Sequence, residues 1–125
     1  PIACAAAVAA LDYIVKEDIP QKSIELGNYF VKKLKTISTI NVDHRGLLIR
    51  VEIKGVKSAK PATMEMLVGK DRNPRVFMKY GHSDPERNVA YTRIAPPPGA
   101  MTEKLIDEAI EKTIAPVLEG ASENV

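Results

Sequence analysis

Few residues of this sequence combine a reactive type with a placement that could do chemistry. Arg93 lies at the end of an alternating run, Val89 to Ile94, and is followed by Ile94-Ala95-Pro96-Pro97-Pro98. A guanidinium at the end of an otherwise apolar strand has two ordinary fates. It sits in a structural salt bridge, as buried arginines nearly always do. Otherwise its fork receives a carboxylate through two parallel hydrogen bonds. Lys79, Tyr80 and His82 fall at or just past the end of the preceding run, Val76 to Tyr80. They lie close to Arg93 if the two runs pair as a hairpin, and are plain surface loop residues if they do not. His44 and His82 belong to different loops, and no His/Cys/Asp spacing suits zinc or iron. Cys4 lies in an apolar stretch and reads as a small buried hydrophobe rather than a reactive thiol. There is no phosphate-cradling glycine loop and no Gly-x-Ser-x-Gly elbow. No complete catalytic set is present; what stands out is a candidate anion receiver.

The elements that must hold these residues follow from periodicity. Pro1 to Val15 is rich in alanine, the best helix former, and is apolar nearly all round. Such a helix is normally buried on every side, and one at a chain end is hard for a small domain to cover. The expectation is therefore an apolar patch left open. Asp18 is a plausible N-cap, with Pro20 in the first turn of a second helix reaching about Ile37. Leu26, Phe30, Leu34 and Ile37 form its stripe. Gly27 costs about 1 kcal/mol there relative to Ala, and close packing against another helix would explain it. Asn41 to Gly46 reads as a turn. Leu47, Ile49, Val51 and Ile53 alternate with Leu48, Arg50 and Glu52, which marks a strand. Ser58 to Val68 reads as a third helix stopped by Gly69. Val76 to Tyr80 and Val89 to Ile94 read as strands joined by the polar loop Gly81 to Asn88. The prolines after Ala95 end ladder pairing. Thr102 caps a last helix with the stripe Leu105, Ile106, Ala109, Ile110, Thr113, Ile114 and Val117. Residues 119–125 read as a frayed end. The implied fold is α/β: a two-layer sandwich with a small three-stranded, mostly antiparallel sheet and helices packed on one face.

Composition narrows the function classes. The 125 residues are 45% hydrophobic and 27% charged, the mixture of one globular domain. That apolar content excludes disorder, and a single cysteine excludes a disulfide scaffold. No uncharged apolar run approaches ~18 residues, so no spanning helix is expected. The opening run lacks the basic flank of a signal peptide. A cytoplasmic setting is the expectation. Net charge is only +2, but basic residues dominate from Asp43 to Arg93 and acidic ones after Thr102. Solvated faces explain this most simply; a basic pocket for carboxylates is the sharper reading. Nucleic-acid binding would want clustered cations interleaved with aromatics, and only 5% of residues are aromatic, with no Trp. The chain starts at proline rather than methionine, which points either to a removed Met or to a piece of something longer.

Four segments, in order along nearly the whole chain, resemble one family. Pro1-Ile2-Ala3-Cys4-Ala5-Ala6-Ala7 resembles the N-P-x-A-C-A-A-A-L-A stretch that opens the C-terminal domain of class-III pyridoxal-phosphate aminotransferases. Gly46 to Ile53 resembles their G-L-M-x-G-x-E strand, Arg93-Ile94-Ala95-Pro96-Pro97 their R-x-x-P-P motif, and Thr102 to Ala109 their T-x-E-E-I-D-E-A helix. The nearest likeness is to the ornithine, acetylornithine and 4-aminobutyrate group. Departures are Asp43-His44-Arg45-Gly46 in place of R-G-x-G, Arg50 at the second glycine, and a longer segment from Lys70 to Asn88. The resemblance implies the C-terminal domain of a fold-type I enzyme, spanning residues 1–125, with the large cofactor-binding domain absent. It implies that the Schiff-base lysine, the partner of the pyridine nitrogen and the phosphate-binding residues lie upstream. This chain would then hold no catalytic and no cofactor-binding residue, and would bind no pyridoxal phosphate alone. Arg93 would receive a substrate carboxylate or pair with a switchable glutamate of the large domain. The intact enzyme would be a homodimer acting on amino-acid and 2-oxo-acid substrates.

Two other classes remain open at this level. An N-terminal proline can act as the base of a tautomerase, provided that Pro1 opens a strand lining a pocket. Helical composition after Pro1 opposes that. A non-catalytic binding module with a basic face rests on the charge asymmetry alone.

Overall fold

The computed structural model describes residues 1–121. Its elements are α1 (Ile2–Lys16), α2 (Ile19–Leu34), β1 (Ile40–Arg45), β2 (Leu48–Lys54), α3 (Lys60–Val68), β3 (Lys79–Asp84) and β4 (Val89–Ile94), followed by α4 (Glu103–Ala109) and α5 (Ala115–Ala121). A π-helical turn, Ile110–Ile114, joins α4 to α5. The strands form one antiparallel sheet in the order β1-β2-β4-β3. The sheet thus has four strands rather than the expected three. The added strand is β1, which covers the segment expected to turn. Its Ile40, Val42 and His44 alternate with Asn41, Asp43 and Arg45, but Asn and Asp are depleted in strands and disguise that alternation.

One face of the sheet makes the core. Ile49, Val51, Ile53, Ala90 and Ile94 are buried there against Phe30, Leu34, Met66, Ile106, Ile114 and Leu118 of the helical layer. The two-layer α/β arrangement is as expected from the alternation in β2. α2 ends at Leu34, three residues before the expected limit, and Ile37 follows in a turn, still buried. Asp18 precedes α2, but its side chain makes no cap bond; it adopts φ +45°, which Asp tolerates better than most residues. Thr102 does cap α4, its hydroxyl accepting from the Leu105 amide at 3.2 Å. In the last stripe Ile106, Ile110, Thr113, Ile114 and Val117 are buried, whereas Leu105 is exposed and Ala109 half-buried. Glu119 to Ala121 belong to α5; the rest of the expected frayed end lies outside the described residues.

Helix α1 stands apart from this core. None of its residues is buried, and Ile2, Val8, Leu11 and Val15 are each more than half exposed. This is the uncovered apolar helix that the composition predicts. Cys4 is exposed with it, so the expected burial of that thiol is not found. No helix among the described residues is long and apolar enough to cross a membrane.

Gly27 is buried in α2 and faces the β1–β2 turn, not another helix. Its missing side chain lets Gly46 approach, and Gly46 itself sits at φ +55°. The Ser23 hydroxyl accepts from the Leu47 amide at 3.2 Å and fixes the same contact.

α2 and α4 are joined at their surface by polar side chains. Tyr29 donates to Asp107 at 2.9 Å, and Lys33 pairs with the same carboxylate at 3.0 Å. Lys33, then Tyr29, hold the Asp107 carboxyl below its ordinary range, and Asp107 in turn raises Lys33. The Asp107 contribution is therefore complete above the ordinary carboxylate pKa and is lost as pH falls through the lower folded value. The Lys33 contribution runs the other way and is lost only as pH rises through its raised value. We expect the acid limb of the stability–pH curve, followed by denaturant midpoint, to be shallower in Asp107→Asn. An unchanged limb would show that the carboxylate has the same pKa in the folded and unfolded chain.

Candidate functional site

The second face of the sheet is open, and it carries the candidate residues. β4 places Tyr91 and Arg93 on it, with Thr92 turned to the core. β3 is the edge strand beside β4. It starts at Lys79, not Val76, because Val76 and Met78 pack against the core as an unpaired extended segment. The strand then runs through Asp84, so the first half of the expected loop is strand. Only Pro85 to Asn88 remain as a turn, tightened by Asp84 Oδ1 accepting from the amides of Glu86 and Arg87 at 3.1 and 3.2 Å. Asn88 closes it at φ +51°. β3 and β4 do pair as a hairpin, with a register irregularity between Tyr80 and Ser83.

This register decides which candidates meet. Lys79 lies directly opposite Arg93, and Thr92 pins the edge by donating to the Lys79 carbonyl at 3.1 Å. Tyr80 lies opposite Thr92, out of the Arg93 row. His82 sits at the irregularity and stacks on Tyr91, ring centroids 4.7 Å apart. On the other side of β4, Arg50 of β2 is directly opposite Arg93, and Asp43 of β1 is opposite Arg50. Sequence reasoning put Arg50 on the open face but gave it no role, because its neighbour in β4 is far away along the chain. Together these residues line a shallow depression of about 530 Å³ that includes Arg45 and Leu48.

The electrostatics of this face are uneven. Glu52 is buried, and its polar partners favour its charged form. Asn41 donates to it at 2.8 Å and Arg87 at 3.0 Å. The Asn41 bond is the main cause that lowers its pKa, burial opposes it, and the charge of Arg87 adds to the lowering. Arg87 also donates to the Tyr91 hydroxyl at 2.7 Å. Arg50 rests over the Tyr91 ring at 5.6 Å and reaches Asp43 at 3.7 Å. Among the described residues, Arg93 and Lys79 have no carboxylate partner. The salt-bridge fate of Arg93 is thus not realised among these residues. An exposed guanidinium fork remains, flanked by two further cations.

The other named candidates lie elsewhere. Pro1 precedes a helix, its carbonyl accepting from the Ala5 amide at 2.9 Å, and it opens no strand. That geometry does not suit a proline base in a strand-lined pocket. His44 Nδ1 approaches the Gly46 carbonyl at 3.1 Å, at the β1–β2 turn. Among the described residues no group of His, Cys, Asp and Glu is placed to hold a metal ion.

No protein-family model matches the chain. Individual relatives do. An ornithine aminotransferase of Geobacillus sp. (strain WCH70) is 36% identical over 115 residues, covering 90% of this chain and 25% of that protein. One from Exiguobacterium sp. is 36% identical over 121 residues, covering 93% of this chain and 27% of the relative. Ornithine aminotransferase 2 of Staphylococcus aureus is 53% identical over 64 residues, or 49% of this chain. The solved structure of the ornithine aminotransferase of Toxoplasma gondii superposes with a TM-score of 0.72 over 98% of this chain and 28% of its own, at 23% identity, which supports the fold. The chain's homologues are therefore ornithine aminotransferases, and what it shares with them is their C-terminal part, about a quarter of their length.

Proposed function

We propose that this chain is the substrate-orienting C-terminal domain of a pyridoxal-phosphate-dependent aminotransferase. The parent enzyme would move an amino group from an ornithine-like or other ω-amino donor to a 2-oxo acid, as a cytoplasmic homodimer. The observation that carries this reading is Arg93. It lies within Arg-Ile-Ala-Pro-Pro, on the open face of the sheet, with no carboxylate partner among the described residues.

The role follows from the chemistry of the fork. A planar guanidinium binds a carboxylate through two parallel charge-assisted bonds, so it fixes direction as well as position. The strands on either side, β2 and β3, fix the backbone from which Arg93 projects. It thereby orients the rest of the substrate toward groups that this chain does not supply. In the other half of the reaction a glutamate of the large domain would occupy the same fork. The apolar surface of α1 is the natural seat for that domain, since isolated domains rarely leave a wholly exposed apolar helix.

Pyridoxal phosphate would serve as electron sink in the parent enzyme. In this reading its site belongs to the part of the parent that lies outside this chain. Every lysine among the described residues is exposed or half-buried, including Lys57 and Lys79, which line the two surface depressions with Glu65 and Asp43 respectively. The reading assigns this chain positioning and closure over the substrate, not bond making.

Titration of the chain with pyridoxal phosphate followed by borohydride reduction tests this division of labour. We expect no stoichiometric mass adduct on any one lysine and no lasting imine absorbance. A stable adduct confined to a single lysine would overturn the reading.

A further inference from the structure

Helix α1 leaves more surface open than a folded chain of this size ordinarily shows. The chain exposes 8043 Å², whereas a compact monomer of 13.7 kDa exposes about 6,600 Å². The difference, roughly 1,400 Å², exceeds the ~800 Å² that each partner contributes to an interface of standard size. α1 is the element that stands clear of the core, since none of its residues is buried.

The exposed surface of α1 has a direction. Tyr13 and Ile14, 48% and 39% exposed, are the least exposed of its large apolar side chains. Tyr13 lies over Gly99, where an added side chain would meet its ring, so this side of the helix faces the rest of the chain. Cys4, Val8, Leu11 and Val15 follow one another at intervals of four, three and four residues. At 3.6 residues per turn their stripe is centred about 170° from Tyr13, on the outward side. All four are exposed, Val15 at 79%. Apolar residues at this spacing make the seam along which two helices pack, knobs into holes. Ala5 and Ala7 border the seam and let a second helix come close.

We propose that the seam of Cys4, Val8, Leu11 and Val15 binds the same seam of a second copy of this chain, as an antiparallel helix pair. α2 begins at Ile19, directly after α1, so a parallel pair would crowd both domain bodies at one end. Opposed helix dipoles favour the antiparallel sense as well. Centred between Val8 and Leu11, the pair sets each Val8 against Leu11 of the second copy and each Cys4 against its Val15. Asp12 and Lys16, the charged side chains of α1, lie off the seam and have opposite signs, so no like charges are forced together there. The pairing occupies, in the chain by itself, a surface that the rest of a parent enzyme would otherwise cover. It does not rest on the reading of Arg93.

Sedimentation velocity of the 125-residue chain over a range of concentrations tests the pairing. We expect a monomer–dimer equilibrium with a dissociation constant on the order of 10 μM. Leu11→Glu should weaken it about a hundredfold or more, because both copies lose a buried leucine and gain a charge at the centre of the seam. Ala6→Glu, on the side away from the seam, should leave it unchanged. Every residue of α1 is exposed, so neither variant threatens the core, and far-UV circular dichroism checks that each is folded. Orientation is read by oxidising the thiols with diamide. Val15→Cys should give an intermolecular disulfide to Cys4 of the second copy. The wild type, with its two Cys4 thiols about 16 Å apart along the pair, should give none. A chain that stays monomeric at the highest concentration leaves α1 to another occupant, such as the rest of the parent, and overturns the proposal. A dimer indifferent to Leu11→Glu, association that grows past the dimer, or a Cys4–Cys4 disulfide in the wild type each overturns it too.

Discussion

A Gly27→Ala variant is expected to be less stable than wild type by about 2 kcal/mol, although alanine is the better helix former. Two effects compete at this position. Alanine in a helix interior gains about 1 kcal/mol over glycine. Against that, a Cβ on Gly27 would overlap the Gly46 carbonyl. Overpacking a filled site costs about 1–3 kcal/mol and occasionally more. The upper end applies here because the obstacle is backbone that cannot rotate away. Gly46 is held by the Arg45–Leu48 pair of the β1–β2 turn, and its carbonyl is already within hydrogen-bond distance of His44. The loss should appear as a fall of about 8 °C in thermal midpoint for a domain of this size. A variant as stable as wild type would mean that α2 and the β1–β2 turn do not approach as described. Because β1 carries Asp43 and Arg45 to the open face, the same variant should also disturb the site at a distance.

That contact illustrates what the sequence can and cannot disclose. Gly27 within a helical stripe signals a close neighbour, and a close neighbour is there. That the neighbour is a strand turn rather than a helix depends on a tertiary placement no local pattern encodes. β2 was legible because its apolar residues alternate without interruption from Leu47 to Ile53. β1 was not, because Asn41, Asp43 and His44 resemble a turn until β2 pairs with them. β3 was misplaced for the opposite reason. Val76, Phe77 and Met78 look like strand, yet the paired residues are the polar ones that follow, as suits an exposed edge. The site divides in the same way. Arg93 stands out locally, by its apolar run and the prolines after it. Arg50 does not, since its relation to Arg93 arises only when β2 and β4 become neighbours, with α3 and β3 lying between them in the chain.

The largest functional effect is expected at Arg93. In an enzyme that joins this chain to the remaining three quarters or so of its relatives' length, Arg93→Ala should lower kcat/KM for carboxylate-bearing substrates about a hundredfold. Removing one partner of a charge-assisted pair in a substrate site costs about 2–5 kcal/mol, and each 1.36 kcal/mol is tenfold in rate. Arg93→Lys should recover only part of this, because a single ammonium keeps the charge but loses the two-bond direction. A purely structural arginine would behave differently: its loss would impair every substrate alike, through stability. The neighbouring cations sharpen the contrast. Arg50 and Lys79 preserve a positive field after Arg93 is removed, so what remains should be attraction without orientation.

The most direct measurement is therefore a ratio: kcat/KM for a carboxylate-bearing amine donor over kcat/KM for the same donor without its carboxylate, in wild type and in Arg93→Ala. The account predicts that the ratio falls about a hundredfold, with the decarboxylated donor nearly unaffected. A ratio unchanged by the substitution, whether both donors suffer equally or neither does, would contradict it.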